Sequence, residues 1–161
     1  MPLIQEEPEK AAELAQEVLD GFRQMFKDAH LKRFATKLGI ANAKEGDKNL
    51  IDGFLLLLEE NQADFTLAFR HLTKGMETGD FSALASLLQT QDAFDVWFAD
   101  WQTRIAADNP AQVLETAKAA NPIFIPRNHR VEAAIEAAYQ DDLAPFETLI
   151  DLLRNPFTEQ A

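Results

Sequence analysis

Apolar residues recur at steps of three and four along most of this chain, and no period of two lasts long enough to build a sheet. After Pro8, which suits a first helical turn, Leu14, Val18, Phe22, Met25, Phe26 and Ala29 form one stripe. The stripe runs on through Phe34 and Leu38 to a stop at Gly39. Beyond the polar loop "ANAKEGD" lies "NLIDGFLLLLEEN", too apolar on every side for a surface helix, so residues 55–58 are expected to be buried on several faces. Phe65, Phe69, Leu72 and Met76 make a further stripe that Gly75 and Gly79 are expected to end. Asp80 is placed to cap "FSALASLL", Asn109 and Pro110 open another helix, Asn128 can cap "HRVEAAIEAAY" and Asp142 can cap "LAPFETLIDLL". The pattern predicts an all-α fold of about seven or eight helices in one domain spanning residues 1–161. Leu55, Leu58, Phe69, Trp97, Leu149 and Leu153 are its expected core.

One stretch breaks the helical rhythm. "NPIFIPR", residues 121–127, is β-branched and aromatic and is pinned by Pro122 and Pro126. The prolines fix the backbone and remove two donors, so the segment can run extended without sheet partners for every residue. Ile123, Phe124 and Ile125 then alternate faces, and at least one face should be buried. Arg127 is expected to anchor the last two helices, with its guanidinium largely covered and its planar fork on carboxylate or carbonyl groups of this same chain.

Composition excludes more than it assigns. The 161 residues carry 27 acidic and 15 basic side chains, a net charge of −12, which opposes nucleic-acid and anionic-membrane binding. The chain has no cysteine, hence no disulfide, thiolate metal site or thiol nucleophile. No apolar leader follows Met1 and no run is long enough to span a bilayer, so a cytoplasmic location is expected.

Catalytic motifs are missing as well. His30, His71 and His129 lack the Glu-x-x-His and His-Glu-x-x-His spacings, the glycines make no phosphate-binding loop, and neither Ser82 nor Ser86 sits in a nucleophile elbow. Asp92, Asp95 and Asp100 lack calcium-loop spacing and are read as an exposed face. The offsets of Asp80, Phe81, Leu84, Leu87 and Leu88 recur at Asp142, Leu143, Phe146, Leu149 and Ile150, a match that any acid-capped amphipathic helix would give. In "FDVWFADWQTRI", Phe94, Trp97, Phe98, Trp101 and Ile105 share a helical face; a docking surface is one reading, and burial in the core is the favoured one.

Three segments carry a family resemblance. "LKRFATKLGI" with "GDKNLIDGFLLLLEENQADFTLAFRHL", then "FDVWFADWQTRI", then "NPIFIPRNHRVEAAIEAAYQDDLAPFETLIDLLRNPF" resemble the C-terminal third of the selenoprotein O (YdiU) family. The resemblance runs from about residue 14 to residue 157. Its most specific part is Asn121 and Pro122, then Arg127 and Asn128, an alanine-rich helix, and Arg154, Asn155, Pro156 and Phe157. It implies a protein-kinase-like (pseudokinase) enzyme that transfers AMP from ATP to protein hydroxyls with a divalent metal, magnesium or manganese. In such proteins the nucleotide-binding lysine, the metal ligands and the catalytic base lie upstream of the matched region. No catalytic, cofactor-binding or metal residue is therefore carried onto this chain. Arg127, Asn128, Asn121, Trp97 and Trp101 are its structural or docking candidates, with the upstream kinase-like lobe and protein substrates as partners. The family commonly ends in a redox-active cysteine or selenocysteine tail, which the sequence to Ala161 does not include, and Pro126 departs from the usual non-proline apolar residue. The expected role is a non-catalytic subdomain that supports the catalytic lobe or positions substrate; a stand-alone acidic interaction module is the alternative.

Overall fold

The computed structural model describes residues 7–88 and 90–160, and the remaining residues of the expected 1–161 domain lie outside the described ones. Among the described residues there are eight α-helices and no strand. They are α1 (Pro8–Lys37), α2 (Asp47–Glu60), α3 (Phe65–Thr78), α4 (Ser82–Ala85), α5 (Gln91–Ile105), α6 (Pro110–Ala120), α7 (Asn128–Ala138) and α8 (Ala144–Arg154). No helix among the described residues is long and apolar enough to cross a membrane.

Helix ends follow local chemistry, with instructive exceptions. Gly39 has φ +82°, and a Cβ there would stand 2.7 Å from Val113 Cγ1, so both backbone and space require glycine after α1. The Asp64 carboxylate accepts from the Leu67 N–H at 2.8 Å and caps α3, a cap that periodicity did not reveal. Gly75, expected to end α3, lies inside it; the Phe81 ring packs so close that a Cβ would meet its Cδ1 at 2.3 Å. Gly79, at φ +78°, ends the helix.

The expected "FSALASLL" helix shrinks to the four residues of α4. Asp80 accepts from the Ser82 N–H at 2.9 Å, and Asp142 accepts from the Ala144 N–H at 3.0 Å. The likeness between those two segments is this shared turn and no more. Asn109 caps α6 through the Ala111 N–H at 2.9 Å. Asn128 does not cap α7: extended backbone lasts through Arg127, Asn128 is already helical, and no side-chain cap forms.

The core gathers the end of α1 with α2, α3, α4 and α5. Phe54 stands at its centre, 5.1 Å from Phe69 edge-on and 4.4 Å from the stacked Trp97 ring. Trp97 stacks in turn on Trp101 at 6.0 Å. Each indole N–H is satisfied, Trp97 by the Leu50 carbonyl and Trp101 by the Leu38 carbonyl, both at 2.9 Å. These two tryptophans are buried, and they hold α5 to α2 and to the end of α1.

Leu58 and Phe69 are core as expected, but Leu55 is only half-buried and Leu56 is 53% exposed. The reason is that α2 packs on α1 and α5 and leaves the Leu56 side open. Leu149 and Leu153 are likewise only half-buried, because α8 packs chiefly on α7 and contributes no buried residue.

Candidate functional site

The strap, residues 121–127, begins at a satisfied polar knot. Asn121 is buried; its Nδ2 donates to the Lys37 carbonyl at 2.8 Å and to Thr73 Oγ1 at 2.9 Å. Lys37 Nζ answers by donating to Asn121 Oδ1 at 3.2 Å and to the Ala120 carbonyl at 3.1 Å. Burial, and then the nearby Arg33 charge, push the Lys37 pKa down. Among the described residues no carboxylate pairs with it; the ammonium lies 5.0 Å from the Phe69 ring centre. The knot joins the ends of α1 and α6 to the middle of α3. Its partners lie 84 and 48 residues from Asn121 along the chain, so no local pattern announces it.

From there the strap runs extended with its three apolar side chains half-buried. Ile123 borders a cavity of about 310 Å³ beside Thr73 and Phe157. Phe124 and Ile125 border a cleft of about 510 Å³ against Leu149, Leu152 and Leu153 of α8. The Ile123 and Phe124 N–H groups both donate to the Pro156 carbonyl, at 2.7 and 3.1 Å. The segment after α8 is thereby tied back onto the strap, and Arg70 pairs with Glu159 at 3.2 Å beside it. Along the same cavity Lys74 and Lys118 both donate to Glu77, at 2.6 and 2.9 Å, and hold its carboxyl down to about 2.

Arg127 closes the strap. Its Nη1 donates to Asp64 Oδ2 at 2.6 Å, which links the start of α7 to the cap of α3. The Arg127 hydrogen bond, then that of the Leu67 N–H, keep the Asp64 pKa below the carboxylate range. The expected covering is not found. The Arg127 side chain is 45% exposed and uses one nitrogen, and its Nε and Nη2 make no hydrogen bond among the described residues. Asn128 is exposed beside it.

One node had no sequence signal. Arg104 grips Asp47 with Nε at 2.6 Å and Nη2 at 3.1 Å, donates to the Asn42 carbonyl at 3.1 Å, and reaches Asp108 at 3.1 Å. Burial pushes the Asp47 pKa up, but the Arg104 hydrogen bonds, the Lys44 N–H and the Arg104 charge outweigh it and leave the carboxyl low. The node pins the loop before α2 to the end of α5, across 57 residues of sequence.

Two apolar surfaces are left uncovered among the described residues. Residues 16–29 of α1 are all exposed, with Val18 at 71%, Phe22 at 61% and Met25 at 70%. Phe22, Phe26, His30 and Phe34 form a ladder of neighbouring rings, so the bare stripe continues directly into the core. On the α7–α8 hairpin, Ile135, Tyr139, Phe146 and Ile150 are exposed too. Among the described residues no group of three or more acidic, histidine or cysteine side chains is arranged to hold a metal.

Comparison with known proteins adds context to this geometry. A family model described as "Protein adenylyltransferase SelO" matches residues 5–154. Proteins named "Protein nucleotidyltransferase YdiU" are similar along the whole chain. One from Rhodopseudomonas palustris (strain HaA2) is 43% identical over 166 residues, covering 100% of this chain and 34% of its own length. One from Bradyrhizobium sp. (strain ORS 278) is 39% identical, covering 99% and 33%. One from Cereibacter sphaeroides (strain KD131) is 38% identical, covering 100% and 32%. The chain spans about a third of the length of these relatives, their C-terminal part.

Proposed function

The chain belongs to the protein adenylyltransferase SelO family, and on that premise we propose that it serves as a non-catalytic helical support for a kinase-like catalytic lobe. In this reading the lobe moves AMP from ATP to a protein hydroxyl, and pyrophosphate leaves. ATP and magnesium or manganese are bound there, so no chemical step is routed through residues of this chain. The carrying observation is the bare face of α1: a helix exposed over residues 16–29 with Val18, Phe22, Met25 and Phe26 on its surface. Apolar faces of this extent mark interfaces, and the part of the Rhodopseudomonas palustris relative outside the matched 34% is available to cover it.

Arg127 supports the same reading. Half of its fork is free, so it can hold Asp64 and still offer donors to a carboxylate or carbonyl of the adjoining lobe. The Asn121 knot and the Pro156 carbonyl then keep the strap rigid enough to present it.

Incubation with labelled ATP and magnesium or manganese tests this. The chain alone is expected to leave no label on itself or on added protein. A fusion of the upstream two-thirds of the Rhodopseudomonas palustris relative to this chain is expected to transfer AMP. Label deposited by the chain alone overturns the proposal.

A further inference from the structure

The open side of α2 borders a groove. Between α2 and α5 lies a cavity of about 470 Å³ lined by Leu50, Leu56, Leu57, Ala93, Val96 and Trp97. Leu56 is 53% and Val96 67% exposed, although the opposite face of each helix is packed into the core. Gly53 gives the groove its depth, since a Cβ there would stand 3.3 Å from Trp97 Cδ1 and a longer side chain would fill the space. Glycine in mid-helix costs stability relative to alanine.

The unpaired charges of the groove, among the described residues, are of one sign. Glu60 at one wall and Asp100 at the other border the groove, and neither makes an ion pair or hydrogen bond among the described residues. The cation at the groove's end, Arg104, is already engaged by Asp47 and Asp108. Asp92, exposed at the start of α5, adds a further unpaired carboxylate on that helix. In the cavity beside Ile123 the cations Arg70, Lys74 and Lys118 are paired with Glu159 and Glu77, and Arg130 is the charged group of the cleft against α8.

The geometry points to a docking groove for a basic amphipathic protein segment, with one or two aliphatic side chains over Leu56 and Val96 and flanking lysines or arginines on Glu60 and Asp100. The apolar lining supplies contact area, and the carboxylates on both helices select a cationic partner and exclude an anionic one. A second copy of this chain, at net charge −12, would bring like charge to the same rim. The inference does not rest on AMP transfer, and its test uses no nucleotide.

The probe is a fluorescein-labelled synthetic peptide of about twelve residues that alternates leucine with lysine and arginine, read by anisotropy against the 161-residue chain. A peptide with glutamate at every basic position is the control. The expected result is saturable binding of the basic peptide alone, weakening as salt rises from about 0.05 to about 0.5 M. Glu60→Lys with Asp100→Lys should weaken it by about tenfold or more. Val96→Asp should abolish it, and all variants should melt as the wild type does. Equal binding of both peptides, or affinity unchanged in Glu60→Lys/Asp100→Lys, overturns the proposal. So does sedimentation showing a dimer that Val96→Asp dissociates, which would make the occupant a second copy.

Discussion

The glycines of this chain do three different jobs, and a methyl group added to each reads them apart. Gly21 lies on the exposed half of α1 with nothing within 4 Å of a Cβ, so Gly21→Ala should stabilise by about 0.5–1 kcal/mol. Gly75 has the same helical setting, but a Cβ there would meet Phe81 Cδ1 at 2.3 Å, so Gly75→Ala should destabilise by about 1–3 kcal/mol. Gly39→Ala should cost about 1–2 kcal/mol from its positive φ alone, and more from Val113. Chemical denaturation of the three variants checks the order, and a gain in Gly75→Ala would show that the ring moves aside freely.

The Asp47–Arg104 node makes a pH prediction. Asp47 titrates lower in the folded chain than in the unfolded one. Its contribution is therefore present above the unfolded value, about 3.9, and is lost as pH falls through the folded value. Arg104→Gln removes the strongest of the groups that lower the Asp47 pKa and leaves the burial that raises it. The variant should lose about 1.5–3 kcal/mol near neutrality, and the gap from wild type should close below about pH 4. Melting curves from pH 7 to pH 3 measure that gap, and a constant gap contradicts the assignment.

At the scale of elements, the helical stripes and the caps at Asn109, Gly39 and Gly79 were readable because their causes are local. Gly75 was misread because periodicity does not show that Phe81 folds back onto it. Leu149 and Leu153 were misplaced for a related reason: a stripe reveals which face seeks cover, and not whether the same chain supplies it. Asn121 was legible as a special position, but its ties to Lys37 and Thr73 join residues far apart in sequence. The same separation hid Arg104 and Asp47. The difference between α2 and α8 can be measured. Leu58→Ala removes a buried side chain and should cost about 2–5 kcal/mol, whereas Leu153→Ala, half-buried on the hairpin, should cost under about 2 kcal/mol. Equal losses would mean that α8 is core.

For the whole molecule, the core, the knot and the strap are joined by packing and hydrogen bonds, and α1 carries an apolar stripe from them outward to solvent. The strap's apolar residues hold the α7–α8 hairpin beside the body, while Arg127 presents free donors at its end. In the proposed function the outer face of α1 is an interface with a catalytic lobe. The most direct measurement is AMP transfer to protein, with ATP and magnesium or manganese, by the fusion carrying Phe22→Glu and Met25→Glu. In the isolated chain both side chains are exposed, so the double variant should melt like the wild type. In the fusion it should lower transfer by about tenfold or more, the effect of placing charge in an apolar interface. Transfer at the unaltered rate would contradict the account.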